Sequence, residues 1–201
     1  YNASISYSGG VAQNVIWNSS LKKKFKNLII PPHCNDEGLS LGALEFLRLK
    51  NNLPKFKIDN FPFCQSDEKP IENPNIDTIK ETAKYLQQGK IVAWYQGNGE
   101  MGPRALGNRS LLFNPLIKDG KNIINKIKKR ETYRPFGASI LKENLNEYIE
   151  GEIDNKYMLY VGKVKKNNLD SITHVDGTCR FQVVDKDSLL YYDLIKEFFK
   201  L

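Results

Sequence analysis

The sequence predicts a mixed α/β fold, and three observations carry that expectation. Short apolar runs at 91–95, 110–113, 136–141 and 178–184 read as buried strands. Amphipathic stretches alternate with them, clearest at 76–88, where Ile76, Ile79, Ala83 and Leu86 share one helical face. Glycine and proline punctuate the junctions, as at Gly89 directly after that helix.

Taken in order, 4–7 reads as a short strand leading into Gly9-Gly10, with a helical pattern over 11–17. Leu28, Ile29 and Ile30 make a buried strand within 27–31, closed by Pro31-Pro32. A polar loop at 33–37 precedes a helix over 39–49, whose apolar positions Leu41, Leu44, Phe46 and Leu47 recur at helical spacing. Residues 54–75 hold four prolines, several charges and no period, so the boundary between two units falls there: 1–55, a linker at 56–75, and 76–201. The second unit adds a basic helix at 121–128, a strand at 157–164 and a closing helix at 191–199.

Composition bounds the function. Hydrophobic residues are 40% and aromatics 11% of 201 residues, a globular composition that excludes a disordered chain. The formal charge of +7 favours anionic partners such as phosphates, nucleotides, nucleic acid or acidic lipid, or else a lysine-rich solubilising surface. Cys34, Cys64 and Cys179 are odd in number and have no C-x-x-C spacing, which argues against a disulfide framework or a zinc site and suits a reducing, cytoplasmic compartment. No apolar run approaches the ~20 residues that span a bilayer, and no signal peptide opens the chain. With Tyr1 in place of an initiator Met beside a strand-like segment, the chain reads as part of a longer polypeptide.

Five segments carry chemistry. In Ser8-Gly9-Gly10-Val11-Ala12-Gln13-Asn14, paired glycines after a strand either let backbone N–H groups approach a phosphate or ribose at a helix N-terminus, or simply make a tight strand–helix turn. In His33-Cys34-Asn35-Asp36-Glu37-Gly38, Asp36 either binds a metal or caps the following helix, and capping is the better reading of the residues alone. The third is 97–110, where four glycines, two arginines and Ser110 lie between two strands. Glycine at that density brings backbone close to a ligand, and Arg104 and Arg109 offer forked, permanently charged donors for phosphate or carboxylate. The fourth is Lys128-Lys129-Arg130-Glu131-Thr132-Tyr133-Arg134-Pro135-Phe136, either a solvated face or, given its interleaved aromatics, the second half of a phosphate clamp. In the fifth, 174–182, two-residue alternation puts Arg180 and Gln182 on one strand face.

In this order, the segments GGVAQN, the Asp36 loop, GPRALGNRS, KKRETYRPF and HVDGTCRFQ resemble the O-carbamoyltransferase family that tailors nodulation signals and antibiotics. The resemblance implies the end of an actin-like, sugar-kinase-type nucleotide domain followed by a YrdC-like carbamoyl-activating domain. It implies carbamoyl phosphate and ATP, with its Mg, as substrates, carbamoyl-adenylate and pyrophosphate as products, and transfer to a hydroxyl of a sugar, glycan or secondary metabolite. Residue by residue, Gly9, Gly10 and Asn14 would touch nucleotide, and Asp36 would bind a divalent metal, iron being one candidate. Arg104, Arg109 and Arg130 would do the catalytic charge work, and Ser110, Lys128, Arg134 and Arg180 would hold substrate. Two departures stand out: Asn98 follows Gly97 where many relatives carry Arg, and two histidines cannot complete a metal site. The alternatives are a basic YrdC-like module that binds tRNA, disfavoured because the cations sit on glycine turns and not along a groove with stacking aromatics, and a catalytically silent domain.

Overall fold

The structure is a computed structural model that describes residues 3–55, 57–66 and 72–201. Strands β1 (Ser4–Ser6) and β2 (Asn27–Ile29) pair in parallel, joined through a 3-10 turn at Gly10–Gln13 and helix α1 (Val15–Lys24). The helix expected at 11–17 starts later because the Asn14 carboxamide accepts from Ile16 and Trp17 N–H, which fixes the first turn there. Helix α2 (Gly38–Lys50) follows, and none of its residues is buried. The helix expected over 39–49 is present, and its apolar residues Leu44, Phe46 and Leu47 stand exposed.

Strand β3 (Phe63–Gln65) lies within the stretch read as a linker and pairs antiparallel with β5 (Gly99–Glu100) in the glycine loop. Residues 56 and 67–71 of that stretch lie outside the described residues. Helix α3 (Ile76–Gln87) is capped by Asn75, which accepts from Thr78 N–H at 2.9 Å. Strand β4 (Val92–Tyr95) pairs antiparallel with β6 (Arg109–Leu112), so the two ends of the glycine loop are tied side by side. Beyond α4 (Gly120–Ile127), a mixed four-stranded sheet runs in the order β7 (Gly137–Leu141), β10 (Thr178–Val184), β9 (Val161–Val164), β8 (Ile149–Glu150), with short α5 (Leu145–Tyr148) before β8. The β7–β10 pair is parallel and the others are antiparallel. Helix α6 (Leu189–Phe199) closes the unit against α3.

Alternation along β10 divides the core. Cys179, Phe181 and Val183 face one cluster with Leu145, Ile149, Leu169 and Ile172. Val184 faces the other, where Ile79, Ala83 and Leu86 of α3 meet Trp94 and α6. Arg180 and Gln182 share that second side, as the sequence spacing anticipates. A third cluster joins Ala12, Leu28, Ile30 and Cys34 to Leu159 and Tyr160, so the first part of the chain shares a core with the second.

The strand expected over 157–164 begins only at Val161. The cause is Asn155, which is 1% exposed. Its carboxamide accepts from Leu159 N–H at 2.9 Å and donates to the carbonyls of Tyr160 and Phe181 at 3.1 and 2.8 Å. A side chain thus takes the place of a strand partner, and Met158 sits at φ 55. Replacement Asn155→Ala strands three buried backbone groups, and we expect unfolding free energy in urea to fall by about 3 kcal/mol with an unchanged m-value.

Candidate anion-binding site

The glycine loop between β4 and β6 is wound around a buried carboxylate. Glu100 Oε1 accepts from the backbone N–H groups of Leu106, Asn108 and Arg109 at 2.7, 2.8 and 3.2 Å. Gly107 N–H donates to Ser110 Oγ at 3.0 Å, and Gly107, at φ +112, lies so close against the Tyr191 ring that no Cβ fits. Gly102, at φ +118, packs against the Pro32 carbonyl in the same way, and its N–H donates to Glu37 Oε2 at 2.7 Å.

A cavity of 490 Å³ opens on one side of this loop. Arg104 and Ser110 reach it from the loop, Lys128, Arg130 and Arg134 from the segment after α4, and Arg180 from β10. Among the described residues no carboxylate lines it. Cations from three separated stretches of sequence therefore meet in one hollow. Arg130 is fixed by its Nε donating to Asn125 Oδ1 at 2.5 Å and by lying over the Phe136 ring, 4.4 Å from the centroid. Asn125, wholly buried, also donates to the carbonyls of Thr132 and Arg134, which folds the RETYRPF stretch back over α4. Arg134 pairs with Glu131 at 2.6 Å on the exposed rim.

Arg104 and Arg180 are the deep members. Arg104 Nη2 donates to the Gln13 carbonyl at 3.0 Å, but its Nε is buried without a partner. Arg180 Nε is likewise buried and unpartnered. Burial, followed by the charges of Arg104 and Arg130, pushes the Arg180 guanidinium down to about 10, which leaves it cationic at neutral pH. Two desolvated cations without a counter-charge are unfavourable unless an anion joins them. Gly137 makes room for this group, because a Cβ there would meet Met158 Sδ at 2.9 Å and Arg180 Nε at 3.1 Å.

The other sequence candidates are placed elsewhere. Arg109 does not line the cavity; it lies 3.5 Å over the Tyr95 ring and donates to the carbonyls of Gln96, Asn108 and Gly97 at 2.7, 2.9 and 2.9 Å. It is the buckle of the loop. Gly9, Gly10 and Asn14 lie together at the 3-10 turn, where Gly9 takes φ +101 and its N–H donates to the Cys34 carbonyl at 2.7 Å. Asp36 is exposed and its carboxylate does not cap α2. Among the described residues no three His, Cys, Asp or Glu side chains gather as a metal would require. The residues present do not fit a metal by themselves. Residues that sequence reasoning passed over are Glu100, Asn125, Ser139 and Tyr191. Gln182 had a local signal, its strand alternation with Arg180, but no role was assigned to it.

The fold and the cavity define an α/β protein with a cation-lined hollow. Residues 83–201 match the family model described as Carbamoyltransferase C-terminus, and residues 2–44 that described as Carbamoyltransferase N-terminus. The chain belongs to the carbamoyltransferase family. It is 34% identical over 223 residues to Nodulation protein NolNO of Sinorhizobium fredii, covering 98% of this chain and 33% of that protein. It is also 34% identical over 192 residues to the 3'-hydroxymethylcephem-O-carbamoyltransferase of Amycolatopsis lactamdurans, covering 88% and 36%. The Streptomyces clavuligerus protein of the same name is 32% identical over 192 residues, again covering 88% and 36%. The chain thus spans about a third of the length of these relatives.

Because Asn125 holds Arg130 and two carbonyls at once, Asn125→Ala releases the segment that carries three of the cations. We expect a stability loss of about 2–3 kcal/mol by denaturant titration, together with weaker binding of inorganic pyrophosphate in calorimetry.

Proposed function

We propose that this protein carries the activation half of an O-carbamoyl transfer, with carbamoyl phosphate and ATP meeting in the cation-lined cavity. The observation that carries the reading is the pair Arg104 and Arg180, buried side by side in charge terms with no acid in the hollow. On motif order we assign 1–55 to the end of an actin-like domain and 76–201 to a YrdC-like domain.

The balanced reaction takes carbamoyl phosphate, ATP and one water to carbamoyl-adenylate, orthophosphate and pyrophosphate. Water cleaves the first phosphoryl group as orthophosphate. The freed carbamate oxygen then attacks the α-phosphorus of ATP, and pyrophosphate leaves with the electron pair of the broken P–O bond. The carbamoyl group, H2N–C(O)–, is passed from the adenylate to an acceptor hydroxyl, whose proton is lost, releasing AMP. No covalent protein intermediate is needed. Lining groups align two anionic substrates and offset charge on the transferring phosphorus and the leaving group, which guanidinium forks do well in a desolvated site. Arg104 and Arg180 hold the deeper anion, Ser110 donates a hydroxyl, and Lys128, Arg130 and Arg134 receive phosphates at the mouth. Arg109 acts through the loop. Among the described residues the cavity has no carboxylate to ligate the magnesium that ATP brings, and no step here depends on a protein-bound metal.

Acceptors of the family's named cephem members are hydroxymethyl groups, and a hydroxyl on a sugar or secondary metabolite is our reading for this protein. Among the described residues no helix is long and apolar enough to cross a membrane. The three cysteines are free, which supports a cytoplasmic setting. The nucleic-acid alternative lacks a comparable support, since the cations close on a concavity and do not line an open groove.

Filling the cavity neutralises the desolvated pair, so pyrophosphate or carbamoyl phosphate at a hundred times its Kd should raise stability by about 2.7 kcal/mol, read as a rise in Tm. Arg104→Met and Arg180→Met should abolish that rise and cut carbamoyl-phosphate-dependent ATP/pyrophosphate exchange by about 10²–10³-fold. Their Tm without ligand should hold or rise, because an uncompensated buried charge has gone. Arg109→Ala should instead lower Tm and binding together. Unchanged anion binding in both Arg→Met variants would remove the cavity from the reaction.

A further inference from the structure

Behind the glycine loop runs a directional chain of hydrogen bonds that the reaction chemistry does not by itself require. The Tyr191 hydroxyl, on α6, donates to Ser139 Oγ of β7 at 2.8 Å. Ser139 Oγ donates to Gln182 Oε1 of β10 at 3.2 Å. Gln182 Nε2 donates to the Leu106 carbonyl at 2.9 Å. Tyr191 and Gln182 are 4% and 3% exposed, and Leu106 is 3% exposed, while Ser139 between them is half-buried at the cavity wall. The sense of the line is set from its far end: the Leu106 carbonyl can only accept, so Gln182 presents its amide NH2 there and its Oε1 to Ser139, whose hydroxyl then accepts from Tyr191.

The line ends on the peptide between Leu106 and Gly107. Its carbonyl is held by Gln182 and its N–H donates to Ser110 Oγ at 3.0 Å. That plane has a neighbour that can rotate, because Gly107 at φ +112 lacks the side chain that would bar other conformations. A peptide next to glycine keeps its orientation only if both of its polar groups are engaged. Here the N–H it presents occupies an acceptor lone pair of Ser110 Oγ. The hydroxyl proton of Ser110 is left to point into the cavity that Ser110 lines. Ser139 lines the same cavity, yet its proton is committed within the relay and it has none to donate to a ligand.

We infer that Tyr191, Ser139 and Gln182 are positioning residues that lock the Leu106–Gly107 peptide and thereby make Ser110 a dedicated hydrogen-bond donor to the bound oxyanion. The inference rests on the reading of the cavity as an anion site. It adds specificity to that site: a Ser110 hydroxyl held as donor favours a fully ionised phosphoryl oxygen over an alcohol or a protonated acid, either of which brings a proton of its own.

The test is a double-mutant cycle on this chain, with inorganic pyrophosphate as the probe, affinities from calorimetry and Tm for each variant. Ser110→Ala alone should weaken binding about tenfold, the scale of one hydrogen bond to a charged group. Tyr191→Phe keeps the ring over Gly107 and removes only the relay's first proton; we expect Tm near the parent value and binding weakened about threefold to tenfold. In the Tyr191→Phe background, and equally in Gln182→Met, Ser110→Ala should cost less than about twofold, because the donor has already lost its orientation. Should Gln182→Met fail to fold, the Tyr191→Phe cycle decides alone. If pyrophosphate binds the parent chain but Ser110→Ala costs the same factor in every background, the relay is structural only and the inference is overturned while the cavity reading stands. If the parent chain does not bind pyrophosphate, both fall.

Discussion

One carboxylate organises the site. Glu100 gathers three backbone N–H groups of the loop that follows it, and Arg109 gathers three carbonyls of the same loop from the other side. A stretch this rich in glycine has a large conformational entropy to lose on folding. Six directed hydrogen bonds between charged groups and backbone supply the compensation, each stronger than a neutral one. Arg104 and Ser110 inherit their positions from that arrangement, and the cavity exists because the loop does not collapse into it.

The second constraint is electrostatic. Arg134 has Glu131 beside it on the rim, whereas the deep pair has only dipoles and carbonyl oxygen. Folding has therefore been arranged to leave positive charge uncompensated at depth, at a cost in stability that a ligand can recover. The sheet makes this tolerable. Parallel pairing of β7 with β10 sets Gly137 opposite Arg180, and the missing side chain leaves room for the guanidinium beside the cavity. A residue type at one strand position thus decides whether a charge on the next strand can be housed.

Much of this was legible in sequence because it is local. Periodicity located α3, β4, β6, β7, β10 and α6, and the glycine–arginine density of 97–110 marked the loop that forms one wall of the hollow. Arg180 was reached through the motif resemblance, and alternation set its face. What escaped depends on partners far away in the chain. Glu100 looks like one acid among many until its three N–H partners are in place. Tyr191 reads as a core aromatic because its hydroxyl meets a serine 52 residues distant. The late start of β9 follows from Asn155, whose side chain replaces a strand, and no propensity foretells that. Helix α2 shows the converse: its period was read correctly, but the apolar face it predicts has nothing packed on it among the described residues.

The bond from Arg104 Nη2 to the Gln13 carbonyl, with Gly102 seated on Pro32, straps the loop to the 3-10 turn that begins at Gly10. A backbone carbonyl cannot rotate away as a side chain can, so the strap transmits displacement in both directions. The first part of the chain thus supplies, through the Gln13 carbonyl, the acceptor that holds one wall of the cavity in place.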